Sequence, residues 1–202
     1  MQIIPLNSEV RYYANSYLII SGSSFSVVDP TVSYSSLIDL MPALAQMDPK
    51  YVLLTHAHID HFAEADSYVR CGMELIVGKD DADKLSSEMK NAAFLFPMAP
   101  RGYFGKYTAV DYGDYIDLGE DTLRVMHTPG HTSGAVAYVA NGVAFVGDTV
   151  FANGYGRCDL YSGNSKELYF SIKNILALDG GTVVYSGHGP LSTVSDIISH
   201  FT

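Results

Sequence analysis

The sequence predicts an α/β protein in which two β-sheets pack together and helices cover their outer faces. The order of the elements supports this fold class, because strand-like runs followed by helix-like runs occur twice along the chain. The 202 residues, 48% of them hydrophobic, suit one globular domain, and we expect residues 1–202 to form it. A chain of this length buries about 70% of its unfolded surface. Any metal site is therefore expected to serve function rather than stability.

The first half of the chain begins with a predicted hairpin over 15–28, where two β-rich runs flank the turn at Gly22-Ser23. Apolar residues at helical spacing then predict a helix over 37–45, which Pro42 should weaken or kink. The remaining elements predicted for this half are a strand, a helix and a strand, over 51–55, 62–71 and 74–77.

The second half begins with a long predicted loop over 86–107, where prolines and glycines leave room for no more than a helical turn. A second hairpin is predicted over 135–146, because Asn141-Gly142 separates two β-rich runs. An amphipathic helix is predicted over 165–178, after a possible capping box formed by Asn164 and Glu167. The other predicted elements are two strands and a C-terminal helix, over 123–128, 182–186 and 192–200.

The charge and cysteine content argue against several classes of protein. The chain has 22 acidic and 12 basic residues, and its net charge of -10 repels phosphate backbones, so we expect no nucleic-acid partner. No stretch approaches the roughly 18 apolar residues that span a bilayer, so we expect no membrane partner. Two cysteines are too few for a disulfide framework, and the first residues do not resemble a signal peptide. We therefore expect a cytoplasmic protein.

A dense group of metal-ligating side chains follows the strand predicted at 51–55. The segment His56-Ala-His-Ile-Asp-His61 contains four potential ligands in six residues. Alternate residues of an extended segment point the same way, so His56 and His58 can bind one metal ion. Asp60 and His61 lie past the bend into the next helix and can reach a second ion. Imidazole suits zinc or iron, and a carboxylate can ligate one ion or bridge two, so this segment predicts a metal site.

Three later segments each place a potential ligand beside glycines at the end of a predicted strand. These ligands are His131 in TPGHTSG, Asp148 in GDT and His188 in GHGP. Loops at strand ends commonly present functional groups, and glycines let the backbone approach a site closely. The four segments together therefore favour one functional metal centre over four unrelated polar turns.

The motifs HAHIDH, TPGHTSG, GDTVF, GRCD and GHGP, in this order, resemble those of the metallo-β-lactamase-fold hydrolases, most closely the short glyoxalase II-like branch. The resemblance covers nearly the whole chain and implies a four-layer αββα sandwich. It also implies two divalent metal ions, with zinc expected and iron or manganese as alternatives. The implied ligands are His56, His58 and His131 for the first ion, Asp60, His61 and His188 for the second, and Asp148 as the bridge.

Two divalent ions bridged by a carboxylate lower the pKa of a shared water to near neutrality, which supplies hydroxide at pH 7. Asp60 and Asp148 are therefore predicted catalytic residues that act with a metal-bound hydroxide. A thiolate leaving group has a pKa of about 8.5 to 9 and needs no strong general acid. A small-molecule thioester is thus the predicted substrate, as the resemblance also implies. Zinc β-lactamases commonly carry a cysteine where this chain has Asp148, which disfavours antibiotic hydrolysis.

Arg157 matches a cation with which the family holds the glutathione end of its substrate. Asp159 and Pro190, however, occupy positions where full-length glyoxalase II enzymes often place tyrosines, and we expect no C-terminal helical domain. Glutathione specificity is therefore not expected. Arg157 is predicted to bind the substrate or, as an equal alternative, to form a structural salt bridge. The aromatic segment 94–104 is expected either to flank the pocket or to anchor its own loop.

Two other functions remain open on the same residues. A mono-iron oxidoreductase of the persulfide dioxygenase kind would use His56, His131 and Asp148, the two-histidine-one-carboxylate arrangement that leaves positions for oxygen. A non-catalytic metal-binding protein is the third alternative, although such a protein could lose ligands and this chain has all seven. The complete second set favours the hydrolase, and the metal content per chain distinguishes it from the dioxygenase.

Overall fold

The computed structural model describes residues 1–6, 10, 12–97 and 99–201, and two six-stranded sheets form its centre. The first sheet contains, in spatial order, β1 (Gln2–Leu6), β2 (Ser16–Ser21), β3 (Ser24–Val28), β4 (Asp48–Leu53), β5 (Glu74–Gly78) and β6 (Thr108–Val110). The second contains β7 (Tyr115–Asp117), β8 (Thr122–His127), β9 (Val136–Ala140), β10 (Val143–Gly147), β13 (Val183–Ser186) and β14 (Ser192–Thr193), in the spatial order β14-β13-β10-β9-β8-β7. Two short strands, β11 (Val150–Phe151) and β12 (Gly154–Tyr155), form a separate hairpin.

The α-helices of the described chain are α1 (Tyr34–Leu40), α2 (Ile59–Phe62), α3 (Ala65–Val69), α4 (Ser165–Leu176) and α5 (Val194–Phe201). Short 3-10 helices occur at Pro42–Gln46, Lys79–Lys84 and Ala93–Leu95. The described helices include none with the length and apolar character needed to cross a membrane.

Apolar side chains alternate between two layers along the central strands. On β4, Leu53 packs between the two sheets, whereas Val52 packs on the outer face beneath the first helices. On β10, Phe145 lies between the sheets, whereas Ala144 contributes to the core beneath α4 and α5. Successive side chains of a strand point to opposite faces, so a sheet buried on both faces requires nearly continuous apolar runs. The predicted sandwich of two sheets with helices outside is confirmed.

The helix predicted over 62–71 is wrong in its bounds, because the structure has two short helices, α2 and α3. Tertiary hydrogen bonds replace the helical ones at the break. The Asp60 carbonyl accepts from the Ala14 amide at 3.1 Å, and the Glu64 amide donates to the Pro30 carbonyl at 3.1 Å. The i to i+4 bond that would continue the helix is therefore not formed. This early start places Asp60 and His61 on α2, directly after the extended segment.

Pro42 ends the helix predicted over 37–45. Helix α1 begins after Ser33, whose side chain accepts a hydrogen bond from the Ser36 amide, and it ends at Leu40. Pro42 then starts a 3-10 helix, because proline has no amide hydrogen to continue the α-helical pattern. Both predicted hairpins are confirmed, as β2–β3 and β9–β10.

Candidate metal centre

The predicted metal-ligating residues lie at one edge of the two sheets, where several strands end. Strands β3 and β4 are parallel neighbours, so Asp29 and the segment after Leu53 leave the first sheet side by side. Strands β10 and β13 are also parallel neighbours, and Asp148 and His188 follow them in the second sheet. The carboxyl ends of parallel strands share one edge, which brings residues distant in sequence into one site.

Three buried imidazoles form the first metal group, which we define as His56, His58 and His131. His56 Nε2 lies 3.2 Å from His58 Nδ1 and 3.1 Å from His131 Nε2, and the latter two nitrogens are 2.9 Å apart. Nitrogens bound tetrahedrally at about 2.0 Å from one zinc ion would be about 3.3 Å apart. The observed spacing therefore fits three ligands of a single ion.

The second ring nitrogens fix the tautomers of two of these histidines. His131 Nδ1 lies 2.6 Å from the carbonyl oxygen of Arg157, which can only accept, so Nδ1 carries the hydrogen. His56 Nδ1 lies 3.3 Å from the Thr55 hydroxyl, which itself donates to Asp29 Oδ2 at 2.7 Å. Both Nε2 atoms then present lone pairs to each other. A cation between them would turn this repulsion into coordination.

The second metal group consists of Asp60, His61 and His188. His188 Nε2 lies 3.4 Å from Asp60 Oδ2, and His61 Nε2 lies 3.9 Å from the same oxygen. His61 Nδ1 is 2.9 Å from Asp29 Oδ2, so the ring donates to this carboxylate and turns its Nε2 lone pair toward the group. His61 Nε2 is buried and has no hydrogen-bond partner among the described residues. A buried polar atom without a partner requires a ligand or a water.

Asp148 lies between the two metal groups. Its Oδ1 is 3.3 Å from His61 Nε2, and its Oδ2 is 3.5 Å from His131 Nε2 and 3.7 Å from His188 Nε2. Asp148 Oδ1 is also buried without a hydrogen-bond partner in the described part of the chain. The two oxygens of Asp148 thus lie near ligands of both groups, as a bridging carboxylate requires.

The pKa values of the site favour a neutral His58 and an ionised Asp148, whereas they favour a proton on His61 that a metal ion would have to displace. Burial, with a smaller contribution from His131, lowers the pKa of His58 to about 4, so this imidazole is neutral at pH 7. Burial opposes ionisation of Asp148, but His61 and the other nearby histidines outweigh it and hold the pKa of Asp148 below its usual range. Burial likewise opposes protonation of His61, yet the carboxylates of Asp148, Asp29 and Asp60 raise its pKa. These carboxylates therefore stabilise positive charge at the centre.

Glycines permit the close packing around the centre. A Cβ atom at Gly187 would lie 2.2 Å from Asp148 Oδ1 and 2.5 Å from His61 Cε1. A Cβ atom at Gly156 would lie 1.9 Å from the carbonyl oxygen of Asp148. Both distances are far below contact, so the GHGP and GRCD motifs need glycine at these positions.

The structure thus brings together all seven residues predicted to bind metal. Five imidazoles and two carboxylates suit zinc, and iron or manganese also accept this set. The orphaned nitrogen and oxygen atoms and the nitrogen spacing fit two adjacent ions that share Asp148. Coordination by each residue stays a prediction.

A cavity of about 340 Å³ opens beside the metal groups and could hold a small substrate. Leu95 and Phe96, from the predicted aromatic segment, line it, whereas Tyr103 and Phe104 of that segment line a separate cavity of about 650 Å³. Arg157 also lines the metal cavity. The segment therefore flanks the pocket with only its first part.

Arg157 combines features of both roles predicted for it. Its side chain lies at the cavity wall, as a substrate-binding residue requires. Its Nε and Nη2 atoms lie 2.7 and 2.8 Å from the two carboxylate oxygens of Asp159, as the salt-bridge alternative requires. Its carbonyl oxygen orients His131, a backbone role that the sequence did not predict.

Two buried carboxylates that support the centre were missed by the sequence analysis. Asp29 contacts His61 and Thr55, as described above, and its φ of 49° lies in the left-handed region, which aspartate tolerates better than most residues. Its position directly after a strand was a usable signal. Asp81 accepts hydrogen bonds from the Ala57 amide at 2.9 Å and the Thr132 hydroxyl at 2.7 Å. Nothing in the local sequence separates it from the neighbouring Asp80.

The sequence model that describes the metallo-beta-lactamase superfamily matches residues 10–188 of this chain. The chain therefore belongs to this superfamily of metallo-hydrolases. An uncharacterised protein of Mycobacterium leprae is 34% identical over 193 residues, covering 86% of this chain and 84% of its own. The probable metallo-hydrolase YqgX of Bacillus subtilis is 30% identical over 189 residues, which cover 90% of this chain and 87% of YqgX. A hydroxyacylglutathione hydrolase of Acidiphilium cryptum is 33% identical over 85% of this chain but only 63% of its own.

Solved structures extend the likeness to the whole fold. The crystal structure of the BLEG-1 B3 metallo-beta-lactamase superposes with a TM-score of 0.89 and 28% identity, covering 98% of this chain and 97% of that one. The crystal structure of TTHA1623 in a di-iron-bound form gives a TM-score of 0.82 and 28% identity, with 95% of each chain covered. The two-sheet sandwich expected from the motifs is therefore the fold of the family.

Proposed function

We propose that the protein is a metal-dependent thioester hydrolase of the glyoxalase II-like kind, acting on small acyl thioesters. One observation carries the proposal: two adjacent metal groups share Asp148 and open onto a cavity of about 340 Å³. Divalent cations held there would supply Lewis acidity and lower the pKa of a bound water toward neutrality. The name of the Acidiphilium cryptum relative supports the thioester substrate.

The chain's own residues perform the remaining tasks in this proposal. Asp29 and the Arg157 carbonyl orient His61 and His131, which fixes where the ligand lone pairs point before any substrate arrives. Asp60 and Asp148 hold negative charge at the centre and are the proposed catalytic carboxylates. The apolar cavity walls exclude water around the substrate carbonyl and strengthen the electrostatic interactions there. A thiolate leaves without a general acid because its pKa is only about 8.5 to 9.

Zinc is the proposed metal, since the donor set is rich in imidazole. Iron is the alternative, and the di-iron form of the TTHA1623 structure gives it specific support. Two ions per chain are proposed in either case. The proposed location is cytoplasmic.

The test is elemental analysis of the purified protein together with a panel of acyl thioesters, with and without glutathione as the thiol. We expect two metal ions per chain, thioester hydrolysis, and loss of activity on chelation with recovery when metal is returned. Hydrolysis that persists after verified metal removal would refute the proposal.

The same preparation tests two other activities. A mono-iron oxidoreductase of the persulfide dioxygenase kind would use His56, His131 and Asp148, whose ligand atoms lie close enough for a single ion. It predicts one iron per chain and oxygen consumption with a persulfide. The likeness to the BLEG-1 structure makes a β-lactam the second hydrolytic substrate to include. Turnover of a β-lactam without thioester hydrolysis would favour that reaction.

A further inference from the structure

The cavity beside the metal groups has predominantly apolar walls. Leu95 and Phe96 form one part of the lining, and Phe151 and Leu160 form another. The Phe96 ring packs against Tyr13 with centroids 6.4 Å apart, and the Phe151 ring lies 6.1 Å from that of His188. These contacts hold apolar surface beside the predicted metal ligands.

Among the described residues that line the cavity, Arg157 is the one charged residue that is not a predicted metal ligand. Its guanidinium is engaged with Asp159 through two parallel hydrogen bonds of 2.7 and 2.8 Å. A bidentate arginine–carboxylate pair uses the same donor geometry with which arginine would bind a substrate carboxylate. The hydrogen bonds from Arg157 also lower the pKa of Asp159 to about 2, so the pair is ionised throughout the neutral range.

Asp159 competes directly with any anionic substrate for Arg157. The two side chains are 54% and 68% exposed, so solvent weakens their attraction but leaves them accessible. An intramolecular carboxylate two residues away nevertheless has an effective concentration in the millimolar range or above. A substrate carboxylate must displace it, and the chain's net charge of -10 further disfavours the approach of an anion.

Resting on the proposed thioesterase activity, we infer that this site selects thioesters with an uncharged, apolar acyl group, and that Asp159 sets this specificity by occupying Arg157. In this case Arg157, paired with Asp159, helps to set the substrate specificity and does not bind an anionic substrate. If Asp159 no longer binds the Arg157 guanidinium, we expect the cavity to accept acidic acyl groups.

The test uses two matched thioesters of N-acetylcysteamine, hexanoyl and adipoyl, which differ only by a carboxylate in place of the terminal methyl. For the metal-loaded protein we expect kcat/KM to favour hexanoyl more than tenfold. Asp159→Asn should raise kcat/KM for adipoyl about fivefold through a lower KM, with hexanoyl unchanged within twofold. Adding Arg157→Gln to Asp159→Asn should abolish the gain.

A matched control removes the same charge elsewhere. Asp111 forms an exposed ion pair with Lys79 at 3.0 Å and does not line the metal cavity. Asp111→Asn should leave the ratio of the two substrates unchanged, which separates a local effect of Asp159 from the change in net charge. A wild-type preference for adipoyl, or a ratio that Asp159→Asn does not move, would overturn the inference.

Calorimetric binding of hexanoate and adipate to the same metal-loaded variants gives a readout independent of turnover. If neither thioester is hydrolysed, the proposed function is wrong. The calorimetric binding measurement still shows which acyl groups the cavity prefers. Tighter binding of hexanoate, with adipate gaining only in Asp159→Asn, supports the inference. Equal affinities in all variants would contradict it.

Discussion

The two metal groups differ in how the protein holds them. In the first group, His56, His58 and His131 are 1%, 4% and 3% exposed, so surrounding side chains fix every ring. In the second group, His188 has a side chain that is 38% exposed and lies on the turn after β13. The first group is therefore buried at every member, whereas the second is buried at Asp60 and His61 but open to solvent at His188.

A different buried carboxylate supports each group. Asp81 contacts no ligand ring; it joins the two loops of the first group through the Ala57 amide and the Gly134 amide, and it pairs with buried Lys84 at 2.9 Å. Asp29 instead accepts a hydrogen bond directly from the ring of His61. We therefore expect loss of Asp81 to reduce mainly the stability of the protein, and loss of Asp29 to reduce mainly its affinity for metal.

The largest effect is expected where the groups meet. Asp148→Ala removes the carboxylate between them and leaves two cationic centres to repel each other. Both ions should be lost, and activity should fall about a thousandfold, equivalent to about 4 kcal/mol. Metal analysis and thioester kinetics measure this. Full occupancy by two ions in the variant would exclude Asp148 as the bridge.

Asp81→Ala should cost about 3–5 kcal/mol in the free energy of unfolding, because it leaves the Lys84 charge buried without its closest carboxylate. Denaturant unfolding in the presence of a chelator measures this cost without a metal contribution. The double variant Asp81→Ala/Lys84→Met should recover part of the loss, since removing both charges avoids the unpaired one. An equal loss in both variants would show that the amide contacts, not the ion pair, dominate.

Asp29→Asn should weaken binding of the second ion about 10- to 100-fold, the usual cost of losing a carboxylate that orients a ligand histidine. The asparagine amide has one acceptor oxygen, so it cannot accept from the Thr55 amide as well as from the His61 ring and the Thr55 hydroxyl, as the two carboxylate oxygens do. The first ion should be affected less, because Asp29 reaches His56 only through Thr55. A competition titration that resolves the two sites tests this. An equal loss of affinity for both ions would contradict the view that Asp29 supports mainly the second group.

The central strands were predictable from sequence because they are buried on both faces, whereas the edge strands were not. The edges of the two sheets are β1 and β6 in the first and β7 and β14 in the second. All four were missed or, for β14, assigned to the following helix. Edge strands pair on one side only, and several here are two or three residues long, too short for a two-residue periodicity to emerge.

The clustering of the seven predicted ligands could be foreseen because each of them follows a strand and lies in a dense or glycine-bounded motif. The supporting residues were less accessible to sequence reasoning, because their roles depend on pairings across the fold. Asp81 contacts residues 24 and 51 positions away, and Arg157 acts on His131 through its backbone carbonyl. Neither relation leaves a local pattern in the sequence.

The smallest effect on stability is expected from removing one hydrogen bond that Asp81 accepts. The buried Thr132 hydroxyl donates to Asp81 Oδ2 at 2.7 Å, whereas the buried Thr128 hydroxyl has no partner among the described residues. Thr132→Val should therefore cost about 1.5 kcal/mol, a decrease in Tm of about 3 to 6 °C for a chain of this size. Thr128→Val should leave Tm unchanged or raise it, because it removes a buried polar group that lacks a hydrogen bond.

The two valine variants change the same atoms at positions four residues apart in one loop, so their difference isolates the hydrogen bond to Asp81. Metal stoichiometry should stay at the wild-type value in both, and affinity for the first ion should change less than about threefold, because Asp81 keeps its two amide donors and Lys84. Thermal unfolding with and without metal measures the stability, and a competition titration measures the affinity. Equal decreases in Tm would mean that valine disturbs the packing of the loop. A selective loss of the first ion in Thr132→Val would instead mean that Asp81, like Asp29, orients the ligands themselves, and the contrast between the two carboxylates would disappear.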